Sequence, residues 1–272
     1  MGPKYEFTDE TKNYDGHLLH RIRRLSDGKF GGWIESEKNL SQEGNCWVDG
    51  EAIVFEDAKV SGNAQVYGKA EVSYDAKVKD NAQVYGNALV FNKAKVYGNA
   101  IICDDAAVHG PTKIYGNAKV FSNATVHSSA QVYDDAQVYG VAVVEGNAKI
   151  YGNAQIYGDA NVYSNTEVYD EAHIYNRARV YDNAKIYGNA QVYDNAKVYG
   201  DAEVFNNAKV CDCGNVCGDA RIHDNDEIYD DAWVYGNAVI FGDTYIMDKK
   251  LHFKQKFLNI MERVVYDWYS TN

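Results

Sequence analysis

The chain has 272 residues and carries 27 Lys and Arg against 39 Asp and Glu, a net charge of −12. This acidic excess disfavours nonspecific binding to nucleic acids. Five cysteines, an odd number in a chain of this length, favour a reducing compartment over a disulfide framework. No basic-then-apolar signal sequence follows Met1, and no apolar run reaches the roughly 18 residues of a membrane span. We therefore expect a cytoplasmic protein without membrane contact.

Residues 1–45 precede the repeat described below and are expected to form an N-terminal cap. The dipeptide Asp27-Gly28, which is typical of a tight turn, separates His20–Leu25 from Phe30–Ile34. This pattern predicts a β-hairpin. Such a hairpin would cover the first turn of the repeat and hide its open strand edges.

Residues 46–248 repeat every six residues without insertion or deletion. All 34 positions at that spacing from Val48 to Ile246 are Val or Ile, and Ala stands two residues before them in 28 of 33 cases. A period of six excludes an amphipathic α-helix, whose apolar stripe recurs every 3.6 residues, and a meander, which alternates every two. We therefore predict that each six-residue unit forms one short strand, with its Ala and its Val or Ile pointing inward.

Three units make an 18-residue coil, so residue n lies against residue n+18 at roughly 4.8 Å. The sequence thus predicts an all-β, single-stranded parallel β-helix of about eleven coils. Asn or Asp occupies the position three after the Val or Ile in 24 of 32 units. We expect this to be the corner residue with positive φ, because Asn and Asp tolerate that conformation better than most side chains.

Residues 249–272 have a different pattern. Apolar residues recur there at helical spacing, at Phe253, Phe257, Ile260, Met261, Val264, Val265 and Trp268. This predicts an amphipathic helix of about 16 residues. The helix is expected to cap the last coil, because an open solenoid end has an apolar surface to cover.

The unit Val/Ile-x-x-x-small-x resembles the hexapeptide repeat of left-handed parallel β-helix proteins, over about three quarters of the chain. Residues 20–48, HRIRRLSDGKFGGWIESEKNLSQEGNCWV, are similar to the leading segment of YdcK-like β-helix proteins of bacteria and prophages, which are often labelled acyltransferases. The resemblance implies a left-handed coil and a trimer. The acyltransferases usually have a loop that interrupts the repeat and builds the substrate pocket. This sequence has no such loop, so no acyl-donor-binding residue carries over.

The register sorts the outward-facing residues into columns on three faces. On the second face a lysine column runs beside a tyrosine column, and we predict a binding surface at Lys95, Tyr97, Lys113, Tyr115, Lys149, Tyr151, Lys185 and Tyr187. Such a surface suits a polyanion or a single-stranded nucleic acid, whose bases would stack on the rings and whose phosphates would meet the ammonium groups. Nucleic acid is disfavoured by the acidic chain. Alternatively, the rings only support one another and corner Asp residues balance the lysines.

The third face pairs a glutamine column with tyrosines, at Gln65, Gln83, Gln137, Gln155 and Gln191 beside Tyr67, Tyr85, Tyr139, Tyr157 and Tyr193. A flat aromatic surface edged with amides suits a glycan. A ladder of glutamine hydrogen bonds along the stack explains the same residues without a ligand.

On the first face the aromatic column is interrupted by His109, His127 and Glu145, on consecutive coils. An apolar strip runs alongside, formed by Ile53, Leu89, Ala107 and Val143. Together they predict a subunit interface, or a site at one. The resemblance implies that His109 or His127 could be the general base of an acyltransferase, oriented by Glu145. The same three residues are weak candidates for zinc ligands.

The unbroken register favours flat faces over the concave pocket that an enzyme needs. We therefore predict a non-catalytic binding or scaffolding β-helix, with a prophage origin suggested by the resemblance. It requires no cofactor and self-associates through the first face. The alternative is a hexapeptide-type acyltransferase, which would use acyl-CoA, or zinc under the metal hypothesis. Cys211, Cys213 and Cys217 have the spacing of metal ligands, but the register places them apart.

Overall fold

The computed structural model describes residues 2–247, 250–253 and 258–259. The chain folds into a parallel β-solenoid of about 12 turns. Among the described residues the helical structure consists of one 3₁₀ turn, Glu37–Asn39. The all-β fold class is confirmed, and the hand of the coil stays a prediction from the resemblance.

Every turn contributes one short strand to each of three sheets, called sheets 1, 2 and 3 after the three faces. Sheet 1 has 15 strands, in spatial order Tyr5–Tyr14, His17–Arg24, Phe30–Ile34, Ile53–Val54, Glu71–Val72, Leu89–Phe91, Ala107–His109, Thr125–Val126, Val143–Val144, Asn161–Val162, Arg179–Val180, Lys197–Val198, Asn215–Val216, Trp233–Gly236 and Lys250–Phe253. Sheet 2 has 12 strands: Lys59–Val60, Lys77–Val78, Lys95–Val96, Lys113–Ile114, Gln131–Val132, Lys149–Ile150, Glu167–Val168, Lys185–Ile186, Glu203–Val204, Arg221–Ile222, Val239–Phe241 and Leu258–Asn259. Sheet 3 has 12 strands: Trp47–Val48, Gln65–Val66, Gln83–Val84, Ile101–Ile102, Lys119–Val120, Gln137–Val138, Gln155–Ile156, His173–Ile174, Gln191–Val192, Lys209–Val210, Glu227–Tyr229 and Tyr245–Met247.

The core is a set of stacked Ala and Val or Ile side chains, nearly all of them fully buried. Strand pairing joins residue n to residue n+18 as predicted, for example Lys59 to Lys77 and Val60 to Val78. Burial of each Val or Ile contributes roughly 1.5 to 3 kcal/mol before the conformational entropy of the chain is subtracted. The repeat therefore builds one continuous core along the axis.

The prediction for the corner conformation was wrong by one position. Positive φ falls two residues after the Val or Ile, as at Asp134 (φ 55°) and Gly152 (φ 64°). Asp in this position accepts a hydrogen bond from the backbone of the next turn: Gly152 N donates to Asp134 Oδ2 at 3.4 Å, and Gly98 N donates to Asp80 Oδ2 at 3.2 Å. Pairing between turns thus favours Gly or Asp at the left-handed residue.

Asn residues at the following position form side-chain ladders instead. Asn63 Nδ2 donates to Asn81 Oδ1 at 3.0 Å, and Asn81 Nδ2 donates to Asn99 Oδ1 at 3.1 Å. Pro111 fits at this position because the positive φ belongs to Gly110 before it. The Asn column therefore reflects stacking between turns rather than backbone conformation.

The predicted N-terminal hairpin is confirmed, and a strand that was not predicted precedes it. His17–Arg24 pairs antiparallel with Phe30–Ile34 on one side and with Tyr5–Tyr14 on the other. Tyr5 is buried over the end of the core, and its hydroxyl donates to the carbonyl oxygen of Leu40 at 2.9 Å. The three strands cover the first turn.

Parallel pairing extends beyond residues 46–248 at both ends. Phe30–Ile34 pairs in parallel with Ile53–Val54, inside the segment that sequence analysis assigned to the cap. Lys250–Phe253 pairs in parallel with Trp233–Gly236. The predicted C-terminal helix lies mostly outside the described residues, although its first residue, Phe253, ends a strand.

A carboxyl group occupies one Ala position of the core. Asp226 is fully buried, and its Oδ1 accepts a hydrogen bond from Thr244 N at 2.7 Å. Within the described part of the chain its Oδ2 has no hydrogen-bond partner. Burial raises the pKa of Asp226 from 3.8 to about 6, while hydrogen bonds to the backbone and the nearby His223 oppose the rise. Ionised Asp226 is therefore a source of instability.

We predict that Asp226→Asn stabilises the protein at pH 7.5 much more than at pH 4. A carboxyl group with a pKa of about 6 when folded and 3.8 when unfolded contributes fully to stability below pH 3.8, and loses that contribution as pH rises to about 6. The amide keeps an acceptor for Thr244 and does not ionise. Its advantage over the wild type should grow by roughly 2 to 3 kcal/mol between the two pH values, measured by urea denaturation.

The control is Asp224→Asn, because hydrogen bonding to His223 lowers the pKa of that carboxyl group. Its stability relative to the wild type should fall as pH rises. An Asp226→Asn effect that is the same at pH 4 and pH 7.5 would contradict the prediction.

Candidate functional site

The tyrosine column of sheet 2 belongs to a continuous stack of nine aromatic rings. The stack contains Tyr97, Tyr115, Tyr133, Tyr151, Tyr169, Tyr187, Phe205, His223 and Phe241. From Tyr97 to Phe205 the centroids of neighbouring rings lie 4.8–4.9 Å apart and their planes deviate by at most 8°. Each ring face is covered by the next ring. The stack therefore offers edges and hydroxyl groups, and not ring faces, to a ligand.

The hydroxyl groups of this stack stay protonated well above neutral pH. Burial, followed by the charge of Glu167, raises the pKa of Tyr151 to about 12. Burial likewise raises the pKa of Tyr97 and of Tyr115. The phenols are therefore available as neutral hydrogen-bond donors along sheet 2.

The lysine column beside the stack has two electrostatically different halves. In the first half four lysines follow one another on adjacent strands, namely Lys59, Lys77, Lys95 and Lys113. We call these four residues the lysine ladder. Within the described residues none of them forms an ion pair, so their charges are not balanced by direct contact.

In the second half of the column opposite charges alternate. Lys149 Nζ lies 2.8 Å from Glu167 Oε1, and Arg221 Nη2 lies 3.0 Å from Glu203 Oε2. Lys185 stands between Glu167 and Glu203 in the register. The predicted binding surface therefore divides into a part in which lysines are neighbours, with Lys95 and Lys113, and a part in which a glutamate separates successive bases.

On sheet 3 the predicted glutamine ladder is replaced by bonds between the two columns. Tyr67, Tyr139 and Tyr175 donate from their hydroxyl groups to the Oε1 atoms of the glutamines one turn on, at 3.1–3.3 Å. Within the described residues the glutamines bond to tyrosine hydroxyl groups, and Gln65 to the backbone carbonyls of Asn45 and Asn63, instead of to one another. This face therefore has fewer free amide oxygens for a glycan.

On sheet 1 the structure brings the three predicted site residues together. The imidazole rings of His109 and His127 stack at a centroid distance of 5.0 Å and an angle of 1°, and Phe91 stacks on the other side of His109 at 4.7 Å. Nε2 of His127 lies 3.3 Å from Glu145 Oε2. The histidines thus continue the aromatic column, which Glu145 interrupts before it resumes with Tyr163 and Tyr181.

His127 also contacts a serine that is not among the predicted site residues. Nδ1 of His127 lies 3.1 Å from Ser128 Oγ. When the His127 ring is neutral and Glu145 is ionised, the carboxylate can only accept, so the ring hydrogen lies on Nε2 and Nδ1 is an acceptor. In the sequence, the position of Ser128 directly after His127 was the signal that could have identified it as a site residue.

The geometry does not fit a zinc site at these residues. A metal ion would have to lie about 2.0–2.1 Å from a nitrogen of each ring, which parallel rings stacked 5.0 Å apart do not allow. No three His, Cys, Asp or Glu side chains in the described ranges form a group that could hold a metal ion. Cys211 and Cys217 are buried in the aromatic columns of sheets 3 and 1, and Cys213 is exposed at a corner.

Comparison with known proteins identifies the repeat. A family model described as the YdcK β-solenoid repeat matches residues 82–95. A protein of Escherichia coli (strain K12), named "Uncharacterized acetyltransferase YdcK", is 40% identical over a stretch that covers 21% of this chain and 22% of that protein. This chain is similar to YdcK-like β-solenoid proteins. The predicted resemblance is confirmed, and the chain spans about a fifth of the length of this relative.

In this YdcK-like solenoid the apolar strip of sheet 1 is shorter than predicted. Ile53 is buried beneath the N-terminal strands with Leu19 and Trp33. Leu89 is 39% exposed and lies in register with Ala107, and Val143 follows two turns later. The uncovered strip therefore begins at Leu89. In the described ranges no helix has the length and apolar character needed to cross a membrane.

We predict that His109 has a pKa below its ordinary value of 6.5 and that His127→Gln raises it. Burial lowers the pKa of His109, and the charge of a protonated His127 lowers it further. The substitution removes that charge and uncovers one side of the ring. NMR titration of the imidazole protons measures both changes. The pKa of His173, which burial also lowers, should not move, and an unchanged His109 would contradict the prediction.

Proposed function

We propose that this YdcK-like solenoid is a non-catalytic binding or scaffolding module that presents flat faces to a protein or polymeric ligand. The observation that carries the proposal is the continuity of its outer columns, in which side chains stack turn upon turn. His109 and His127 are themselves rungs of such a column. A cavity lined by Asn189, Asn207 and Asn225 lies at the corner between sheets 2 and 3, away from the histidines on sheet 1.

The proposed module self-associates through sheet 1 and acts in the cytoplasm. An uncovered apolar strip that starts at Leu89 supports the first statement, because such surfaces mark contacts between proteins. The five cysteines are all unpaired, which supports a reducing compartment. A trimer is the assembly that the resemblance implies.

Replacing two residues of the strip should dissociate the assembly. We expect native mass spectrometry to show an oligomer for the wild type and a monomer for Leu89→Glu/Val143→Glu at the same concentration, because carboxylates cannot be buried there unpaired. Leu18→Glu/Leu25→Glu is the control, since these leucines are 53% and 46% exposed outside the strip. A wild-type monomer, or a strip variant that stays oligomeric, would refute self-association through sheet 1.

The alternative function is acyl transfer, and one observation favours it. Nδ1 of His127 lies 3.1 Å from the hydroxyl oxygen of Ser128, and Nε2 lies 3.3 Å from Glu145 Oε2. In this alternative, Nδ1 takes the proton of an acceptor hydroxyl or amine as that group attacks the thioester carbonyl of acyl-CoA, and the CoA thiolate leaves. The printed name of the Escherichia coli relative agrees with this chemistry.

An assay of CoA release separates the two functions. We expect the purified protein to release no thiol from acetyl-CoA above the blank, with hydroxyl and amine acceptors supplied, and to show no saturable acetyl-CoA binding in calorimetry. The matched variants are His127→Ala and His173→Ala, the latter on sheet 3. Thiol release that is lost in His127→Ala and kept in His173→Ala would overturn the non-catalytic proposal in favour of acyl transfer.

A further inference from the structure

The lysine ladder is an arrangement that the fold itself does not require. Its four members lie on consecutive strands of a parallel sheet, so their side chains are neighbours at roughly 4.8 Å spacing at the backbone. Like charges in such neighbouring positions destabilise a sheet. The same column accepts a carboxylate between two bases further along, at Glu167 and Glu203. The repeat can therefore pair this column, and in its first half it does not.

The region around the ladder is basic although the chain is acidic. Residues 58–120 contain eight lysines and five acidic residues, whereas residues 151–247 contain six basic and sixteen acidic residues. Lys59, Lys77 and Lys95 are exposed, and Lys113 is half-buried. Four successive turns thus carry a positive line along an otherwise negative rod, and this line attracts an anion.

Neutral hydrogen-bonding groups line the same turns. The amide ladder of Asn63, Asn81, Asn99 and Asn117 runs along the corner at the far edge of sheet 2. Each amide uses one N–H on the next rung, and its second N–H is left for a ligand. Tyr97 stands between Lys95 and Asn99 in the chain, and burial raises the pKa of its hydroxyl group.

The geometry points to an acidic polysaccharide, bound along the solenoid axis, as the ligand of the lysine ladder. This inference rests on the proposed function and names the polymer. A straight row of ammonium groups matches an extended chain with a carboxylate on successive sugars, and the amides and phenols match its hydroxyl groups. Four rungs span roughly 14 Å at the strand spacing.

Single-stranded nucleic acid fits the same surface less well. It binds to flat sheets by stacking bases on aromatic rings. Here the rings stack on one another, and the free face of Tyr97 is occupied by Lys79, whose Nζ lies 5.0 Å from the ring centroid. The charge of the lysines acts on phosphate and carboxylate alike, so the covered ring faces are what disfavour a nucleic acid here.

The test compares two double variants that remove equal charge from one column. The ladder variant, Lys77→Gln/Lys95→Gln, removes two charges from the lysine ladder. The control variant, Lys149→Gln/Lys185→Gln, removes two charges from lysines that lie beside carboxylates in the same column. Calorimetry should show that the wild type binds hexagalacturonate. We expect the affinity to be about tenfold lower in the ladder variant and little changed in the control variant. The methyl-esterified hexamer should not bind, and circular dichroism should show that both variants fold.

Three results would overturn the inference. Equal weakening in both variants would show binding to net charge alone, and tighter binding of a hexadeoxynucleotide would show a nucleic-acid surface. Absence of hexagalacturonate binding would refute the acidic polysaccharide as the ligand. It would not refute the proposed binding or scaffolding function, which the CoA assay and the assembly experiment test separately. Thiol release in the CoA assay would instead overturn the proposed function.

Discussion

Every feature of this protein depends on the hydrogen bonds that place residue n+18 on residue n. They fix the neighbour of each side chain, so one residue type repeated at this spacing becomes a continuous column. Inward columns of Ala and Val or Ile make the core, and outward columns make the surface. A single inserted residue would turn the inward set outward for the rest of its strand. The fold therefore fixes the spacing within each strand, and an insertion would have to fall at a corner between strands.

The period alone was enough to predict the strands, their pairing and the core, because apolar spacing reports directly on which side chains are buried. The corners were predicted less well. Asn at the third corner position looked like a backbone preference, and in the structure it is a partner for the Asn one turn away, as with Asn63 and Asn81. Sequence counts cannot separate these causes, since both select the same residue. The strand Tyr5–Tyr14 was missed because it lies outside any repeat.

The surface columns were predicted as sets of residues, but not their contacts. The sequence places Tyr97 and Tyr115 in one column but does not show whether their ring faces are accessible to a ligand. In the structure the ring centroids lie 4.9 Å apart, so the facing sides of the two rings cover each other. In the same way, the lysines of sheet 2 looked uniform until the contact of Lys149 with Glu167 distinguished the two halves. His109 and His127 were placed together by the register, whereas the bond to Ser128 depends on a side-chain rotamer.

The left-handed corner residue has a consequence for the charge of the whole molecule. Asp80, Asp134 and Asp170 each accept a hydrogen bond from a glycine amide of the following turn. Their carboxylates thus help to join successive turns. Much of the net charge of −12 is therefore explained by the requirements of the fold, without a partner that selects for acidic residues. A positively charged ligand site on this rod therefore has to be built in the strand columns. Lysines placed there act against a negative background that the corner carboxylates supply.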